Sequence, residues 1–82
     1  MKYAIIDIGS SIIKYKIYDY ENNTIEPIIK NDERVGLISY RENNQLTNEG
    51  LTILLSTLKK FMEYSSKLNV DKSYFFGIGY IS

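Results

Sequence analysis

The chain has no cysteine, no histidine and no tryptophan, and only a single proline. Without cysteine there is no disulfide to brace a small body, and without cysteine or histidine a zinc site has none of its usual donors. The lack of histidine also removes the partner that activates a serine hydroxyl, so none of the serines is equipped for nucleophilic catalysis. A chain free of cysteine fits a reducing compartment, and we expect a cytoplasmic protein. Charge of one sign is missing too, because ten basic and ten acidic side chains cancel. No basic footprint recommends nucleic acid or an anionic membrane as partner, and neither is expected. No apolar run approaches the roughly 20 residues that cross a bilayer, and the N-terminus has no signal-peptide core.

What is present is one small domain of 82 residues with eight tyrosines and three phenylalanines. So short a chain buries a small share of its surface, and several of these rings must lie where a partner can meet them. The sequence stops in Tyr74-Phe-Phe-Gly-Ile-Gly-Tyr-Ile-Ser82, a strand-like run without a polar tail, so we expect a fragment of a longer protein.

Residues 2 to 8 set Tyr3, Ile5 and Asp7 on one face and Ala4, Ile6 and Ile8 on the other, the pattern of a central strand. After Gly9-Ser10-Ser11, residues 12 to 20 alternate Ile13, Tyr15 and Ile17 with Lys14, Lys16 and Tyr18, which predicts one buried and one wetter face. Asn22-Asn23 marks a hairpin turn, and residues 24 to 30 should return antiparallel, as an edge strand because of Pro27. Residues 31 to 46 read as polar and irregular, with Val35-Gly-Leu-Ile38 either a short strand or a loop that tucks its apolar side chains under the sheet. Thr47 is the expected N-cap of a helix over 48–68, with Leu46 and Leu51 spaced as a hydrophobic staple. Leu51, Leu54, Leu55, Leu58, Phe61, Met62 and Leu68 follow helical spacing as its apolar side, and Asn69 suits a left-handed C′ residue. A last strand is expected over 73–81.

The fold class is therefore α/β, in the order ββ(β)αβ, with a mixed sheet and one main helix on one face. A right-handed crossover through that helix lays the last strand parallel to the first. Its bare second face predicts either further sequence or a second copy, hence a homo-oligomer of this piece through the uncovered sheet.

The opening strand delivers Asp7 into a Gly9-Ser10-Ser11 turn. Backbone N–H groups of such a turn can meet phosphoryl oxygens while Asp7 holds magnesium through water. The plainer reading is an aspartate and glycine that build a tight turn for its own sake. Lys14 can reach a phosphate but reads better as a solvated charge, and Arg34 can fork onto an oxyanion or stand on the surface. Gly77 and Gly79 mark either a close backbone approach or room for a facing side chain.

Asp7-Ile-Gly-Ser10-Ser11-Ile-Ile-Lys14 resembles the first phosphate motif of the exopolyphosphatase and guanosine-pentaphosphate phosphatase (Ppx/GppA) family. That motif reads approximately Asp-Ile-Gly-Ser-Asn-Ser-x-Arg. Asp7, Gly9 and Ser10 match it, Lys14 replaces the arginine, and Ser11 and Ile12 stand in the places of Asn and Ser. Lys30 with Arg34-Val-Gly36, and Leu46-Thr-Asn-Glu-Gly50 at the helix start, are similar to further family stretches, so the resemblance runs the length of the chain. Gly79-Tyr-Ile-Ser82 departs from the family's Thr-Ser-Ala-x-Arg turn.

The resemblance implies a ribonuclease H-like half-domain of the actin and sugar-kinase superfold. It also implies hydrolysis of phosphoanhydride bonds in polyphosphate or guanosine pentaphosphate, with magnesium at Asp7 and phosphate at Gly9, Ser10 and Ser11. The catalytic glutamate it implies lies beyond these residues, so no catalytic residue is assigned here and the piece is expected to be inactive alone. The rivals are an actin-like or sugar-kinase-like ATP-binding fragment and a non-catalytic, self-associating domain.

Overall fold

The computed structural model describes residues 1–77. Four strands form one sheet in the order β3-β2-β1-β6: β1 Lys2–Ile8, β2 Ile12–Glu21, β3 Thr24–Arg34 and β6 Lys72–Gly77. The first three make an antiparallel meander, and β6 returns parallel to β1, with Ile5 opposite Tyr74 and Asp7 opposite Phe76. The single long helix, α1 Asn48–Lys67, supplies the crossover and covers one face. This is the α/β arrangement that the sequence predicts. Among the described residues no helix is long and apolar enough to cross a membrane.

Turn chemistry explains the path. Asn22 and Asn23 both adopt positive φ, 52° and 61°, the backbone of a two-residue hairpin turn that matches strand twist. Pro27 lies on the edge strand as expected, next to a register shift between Ile17 and Tyr18 that leaves Ile28 as the extra residue of a bulge. The return strand does not stop at Lys30. It runs on through Asn31-Asp-Glu-Arg34, because β2 offers paired positions up to Ile12 and ladder hydrogen bonds outweigh the weak strand propensity of these polar residues.

Residues 35 to 46 are likewise more ordered than their composition suggests. Gly36 takes φ 60° and turns the chain into a short 3-10 helix, Leu37–Tyr40, which buries Leu37 completely. A small hairpin follows, β4 Arg41–Glu42 and β5 Gln45–Leu46, around a second positive-φ pair, Asn43-Asn44. The expected loop that tucks apolar side chains away is realised by Leu37, and the hairpin is an addition to it.

The Thr47 hydroxyl caps α1, accepting from the Gly50 N–H at 3.2 Å. At the other end Asn69 (φ 58°) donates its N–H to Ser66 O and Val70 donates to Ser65 O, the paired bonds of a Schellman turn. Lys2 then fastens this corner to β1. Its ammonium donates to Leu68 O at 3.0 Å, and its backbone exchanges bonds with Asp71. The helix ends at Lys67 with Leu68 as C-cap. The last strand is described from Lys72 to Gly77, and the remainder of the expected span, Gly79 included, lies outside the described residues.

The core is built where α1 crosses β1 and β2. Ala4, Ile6, Ile8, Ile13, Tyr15 and Ile17 are buried from below, and Leu54 and Phe61 from above. Tyr15 and Phe61 stack with centroids 4.6 Å apart and planes 2° from parallel, while the Tyr15 hydroxyl and Ser65 Oγ share a 2.6 Å hydrogen bond. The buried side of the helix is thus Gly50, Leu54, Thr57, Phe61 and Ser65. Leu51, Leu55 and Met62, expected on that side, stay 45%, 56% and 40% exposed. The helix rolls this way because the sheet presents a tyrosine hydroxyl that needs a polar partner, and because Gly50 lets Tyr40 and Leu46 close in.

Burial pushes the Tyr15 hydroxyl above its ordinary value of 10.0, partly offset by its bond to Ser65. A raised folded-state pKa stabilises the fold below the unfolded value, and that contribution is lost as pH climbs past it. Urea unfolding should therefore show stability falling above pH 10, with Tyr15→Phe falling less steeply there. At neutral pH Tyr15→Phe should cost about 1–2 kcal/mol by orphaning Ser65, and Phe61→Ala about 3–5 kcal/mol.

A Cβ on Gly50 would stand 2.6 Å from Tyr40 Cβ, close to main chain that cannot yield. Gly50→Ala should consequently lower the urea midpoint, whereas at an open helical position the same change stabilises by about 1 kcal/mol.

Candidate functional site

The predicted site residues converge at one end of the sheet face that α1 leaves open. Directly paired residues of adjacent strands point to the same face. Asp7 on β1 is opposite Lys14 on β2, which is opposite Asp32 on β3, and one step nearer the loop Ile12 is opposite Arg34. Asp7, Lys14 and Arg34 are all exposed there. Lys14, which the sequence favours as a solvated charge, is indeed exposed, but it stands beside Asp7 in the row next to the turn.

Between β1 and β2 the chain reverses through Ser10 and Ser11. Gly9 makes the reversal possible: its N–H donates to Ile12 O at 3.0 Å, and a Cβ here would come within 2.8 Å of that same carbonyl. The close approach, not a special φ, is what demands glycine.

The carbonyls of the turn are tied down from the far side. Ser10 O accepts from Ile38 N–H at 2.8 Å, and Ser11 O accepts from both Val35 and Gly36 N–H at 3.0 Å. Every peptide bond here is trans, so a carbonyl pulled toward the 3-10 helix turns the N–H of its own peptide group the opposite way. Fixing Ser10 O therefore aims the Ser11 N–H outward. Among the described residues neither the Ser10 nor the Ser11 N–H donates to a protein acceptor. The Asp7 carboxylate likewise has no hydrogen bond or ion pair among them.

The turn is thus braced through its carbonyls, and among the described residues its Ser10 and Ser11 N–H groups and the Asp7 carboxylate two residues before Gly9 are unspent. A tight turn serving itself alone would be expected to have Asp7 bonded back to it. Sequence reasoning missed the brace formed by Val35–Ile38. The signal was there in Arg34-Val-Gly36: the Val35 and Gly36 N–H groups meet Ser11 O as β3 ends, and the left-handed bend at Gly36 brings the Ile38 N–H to Ser10 O.

The donor set suits magnesium and not a fully protein-built cage. Mg²⁺ takes one or two carboxylates and keeps waters or substrate phosphates for its other positions. Asp7 is such a carboxylate, and no group of three or more acidic side chains able to hold a metal exists among the described residues.

Of the concavities elsewhere among the described residues, two exceed 500 Å³. A groove of about 510 Å³ at the opposite end of the open face is lined by Tyr3, Ile5, Tyr18, Tyr20, Ile25 and Tyr74, which accounts for four of the tyrosines. A shallow polar depression of about 720 Å³ runs from Ser39 past the β4–β5 hairpin to the start of α1, and none of the predicted site residues lines it.

No family model matches the sequence, and no curated protein matches it. Solved structures do. A Ppx/GppA family member from Aquifex aeolicus superposes with a TM-score of 0.84 at 19% identity, over 94% of this chain and 26% of its own. A further solved structure, of the Aquifex aeolicus Ppx-GppA enzyme, gives 0.85 at 18% identity, over 98% and 27%. An exopolyphosphatase from Cytophaga hutchinsonii gives 0.83 at 25% identity, over 94% and 25%. The chain spans about a quarter of the length of these proteins. Its mixed sheet and single crossover helix share the fold of the matched part of these Ppx/GppA proteins, the family that the Asp7-Ile-Gly-Ser10 motif resembles.

Proposed function

We propose that this chain forms the phosphate-holding wall of a phosphoanhydride hydrolase that acts on polyphosphate or guanosine pentaphosphate. The observation that carries the reading is the braced turn that follows Asp7, whose Ser10 and Ser11 N–H groups have no protein acceptor among the described residues.

In such a reaction water attacks a terminal phosphoryl group, and catalysis is mostly positioning and charge stabilisation. The Gly9-Ser10-Ser11 backbone binds phosphoryl oxygens without the entropy cost of ordering long side chains. Asp7 would hold magnesium, and the ion would supply charge to offset that of the phosphoryl oxygens. Arg34, carried by the last position of β3, gives a planar fork for an oxyanion at the mouth of the turn. Lys14 adds a point charge in the next row. Orientation of the attacking water falls to the glutamate implied by the resemblance, outside this chain.

An NMR titration of the 82-residue chain with inorganic phosphate and magnesium tests this. The Ser10 and Ser11 amide signals should move, and Gly9→Val, which drives a side chain into Ile12 O, should abolish the movement. Asp7→Asn should retain the phosphate response and weaken the magnesium response roughly 10–100-fold. If the two serine amides stay still while phosphate is raised, the loop is only a turn. Phosphate release from polyphosphate by this chain alone would refute the placement of the water-orienting group elsewhere.

A further inference from the structure

The two outer strands of the sheet are guarded very differently. β3 carries Pro27, the bulge at Ile28 and the charges of Glu26, Lys30, Asp32, Glu33 and Arg34, the devices that keep a sheet edge from pairing with another chain. Between Ser73 and Gly77, β6 has none of them. Its outer side pairs with no strand among the described residues, and Tyr74, Phe75 and Phe76 are 45%, 49% and 57% exposed. An uncharged edge of this kind is a template for a further strand.

The surroundings of the edge are apolar on both faces. Tyr74 and Phe76 are opposite Ile5 and Asp7 and stand on the open face, whereas Phe75 is opposite the buried Ile6 and stands on the face that α1 covers. Lys60 of α1 is paired with Glu33, and Tyr64 borders a small cavity with Ile29 and Asn31, so that flank of the helix lies over β3. At 3.6 residues per turn the exposed Leu51, Leu55 and Met62 fall on the other flank, toward β6 and Phe75.

The aromatic run is self-complementary. A second copy can meet this edge antiparallel about a two-fold axis normal to the sheet, with its helix on the same side, and cross-strand partners then share a face. With the axis at Phe75, the two Phe75 rings oppose each other, Tyr74 opposes Phe76 of the second copy, and Ser73 opposes its Gly77. Moving the axis to Tyr74 or to Phe76 sets Phe75 against Ser73 or Gly77, so only the first register gives every ring a ring.

We propose that two copies of this chain pair antiparallel through Ser73 to Gly77 of β6, centred on Phe75, and join their four-stranded sheets into one. The contact runs through the edge of the sheet and leaves its open face uncovered. It is independent of the phosphate reading, because antiparallel pairing sends the two Gly9-Ser10-Ser11 turns to opposite ends of the joined sheet. Each copy has one unguarded edge, so the assembly closes as a dimer.

Sedimentation equilibrium of the 82-residue chain tests the contact. One strand pair with its rings is smaller than a standard interface, so dimers should form with a Kd of about 10–100 µM. Phe75→Lys sets two ammonium groups against each other at the axis and should leave only monomer. Ile25→Lys puts the same charge into the tyrosine groove of the open face and should leave the dimer intact. Both positions are on the surface, and urea unfolding of each variant verifies that it is folded. Since the chain has no cysteine, Phe75→Cys should give a covalent dimer on mild oxidation, because directly opposed Cα atoms lie about 4.5–5.5 Å apart. Leu55→Cys, at a position 56% exposed, should not. A dimer broken by Ile25→Lys and not by Phe75→Lys would place the contact on the open face and overturn the proposal. So would larger species that grow with concentration. A chain that stays monomeric throughout also overturns it, and leaves the edge to a strand from elsewhere in a longer protein or from a different one.

Discussion

The stacking of Tyr15 on Phe61, closed by the Tyr15–Ser65 hydrogen bond, is the constraint on which the rest of the molecule depends. A single helix over a four-stranded sheet has few ways to fix its roll and its position along the strands, since apolar contacts alone are non-directional. A buried phenol is directional. Its ring settles where Phe61 lies, and its hydroxyl settles which turn of the helix faces down. Once α1 is fixed, its Schellman turn and the Lys2 contacts determine where β6 begins, and hence the parallel register that sets Phe76 beside Asp7.

The candidate site obeys a different logic, because it is made from backbone. Ser10 and Ser11 need no particular side-chain partner to form it. What they need is to have their carbonyls occupied from behind, and the exit of β3 into the 3-10 helix does that. Leu37 anchors the brace in the core, so the stability of the turn is tied to the packing beneath it.

One sheet face thus holds two unlike surfaces. Near the turn it is charged and hydrogen-bond competent, and at the far end it is a tyrosine-lined groove. The helix adds a second apolar stripe through Leu51, Leu55 and Met62. The aromatic load that the composition announces is accordingly split between the core, where Tyr15 and Phe61 lie buried, and the surface, where Tyr20, Tyr64, Tyr74, Phe75 and Phe76 are exposed.

The sequence by itself determined the local events whose causes lie within a few residues. These include the Asn22-Asn23 hairpin, the Thr47 cap, the left-handed Asn69, the alternation of β1 and β2, and the turn after Asp7. Each rests on short-range sterics or on a side chain bonding its own neighbourhood. Tertiary structure decided what depends on distant partners. The polar residues Asn31 to Arg34 became strand only because β2 lay alongside them, and the two-residue arms around Asn43-Asn44 are too short to show alternation. Thr57 and Ser65 were buried in preference to Leu55 and Met62, since a tyrosine hydroxyl fifty residues away required a partner. The outward aim of the Ser11 N–H, on which the phosphate reading turns, was likewise settled by the N–H of Ile38, a contact that no local pattern encodes.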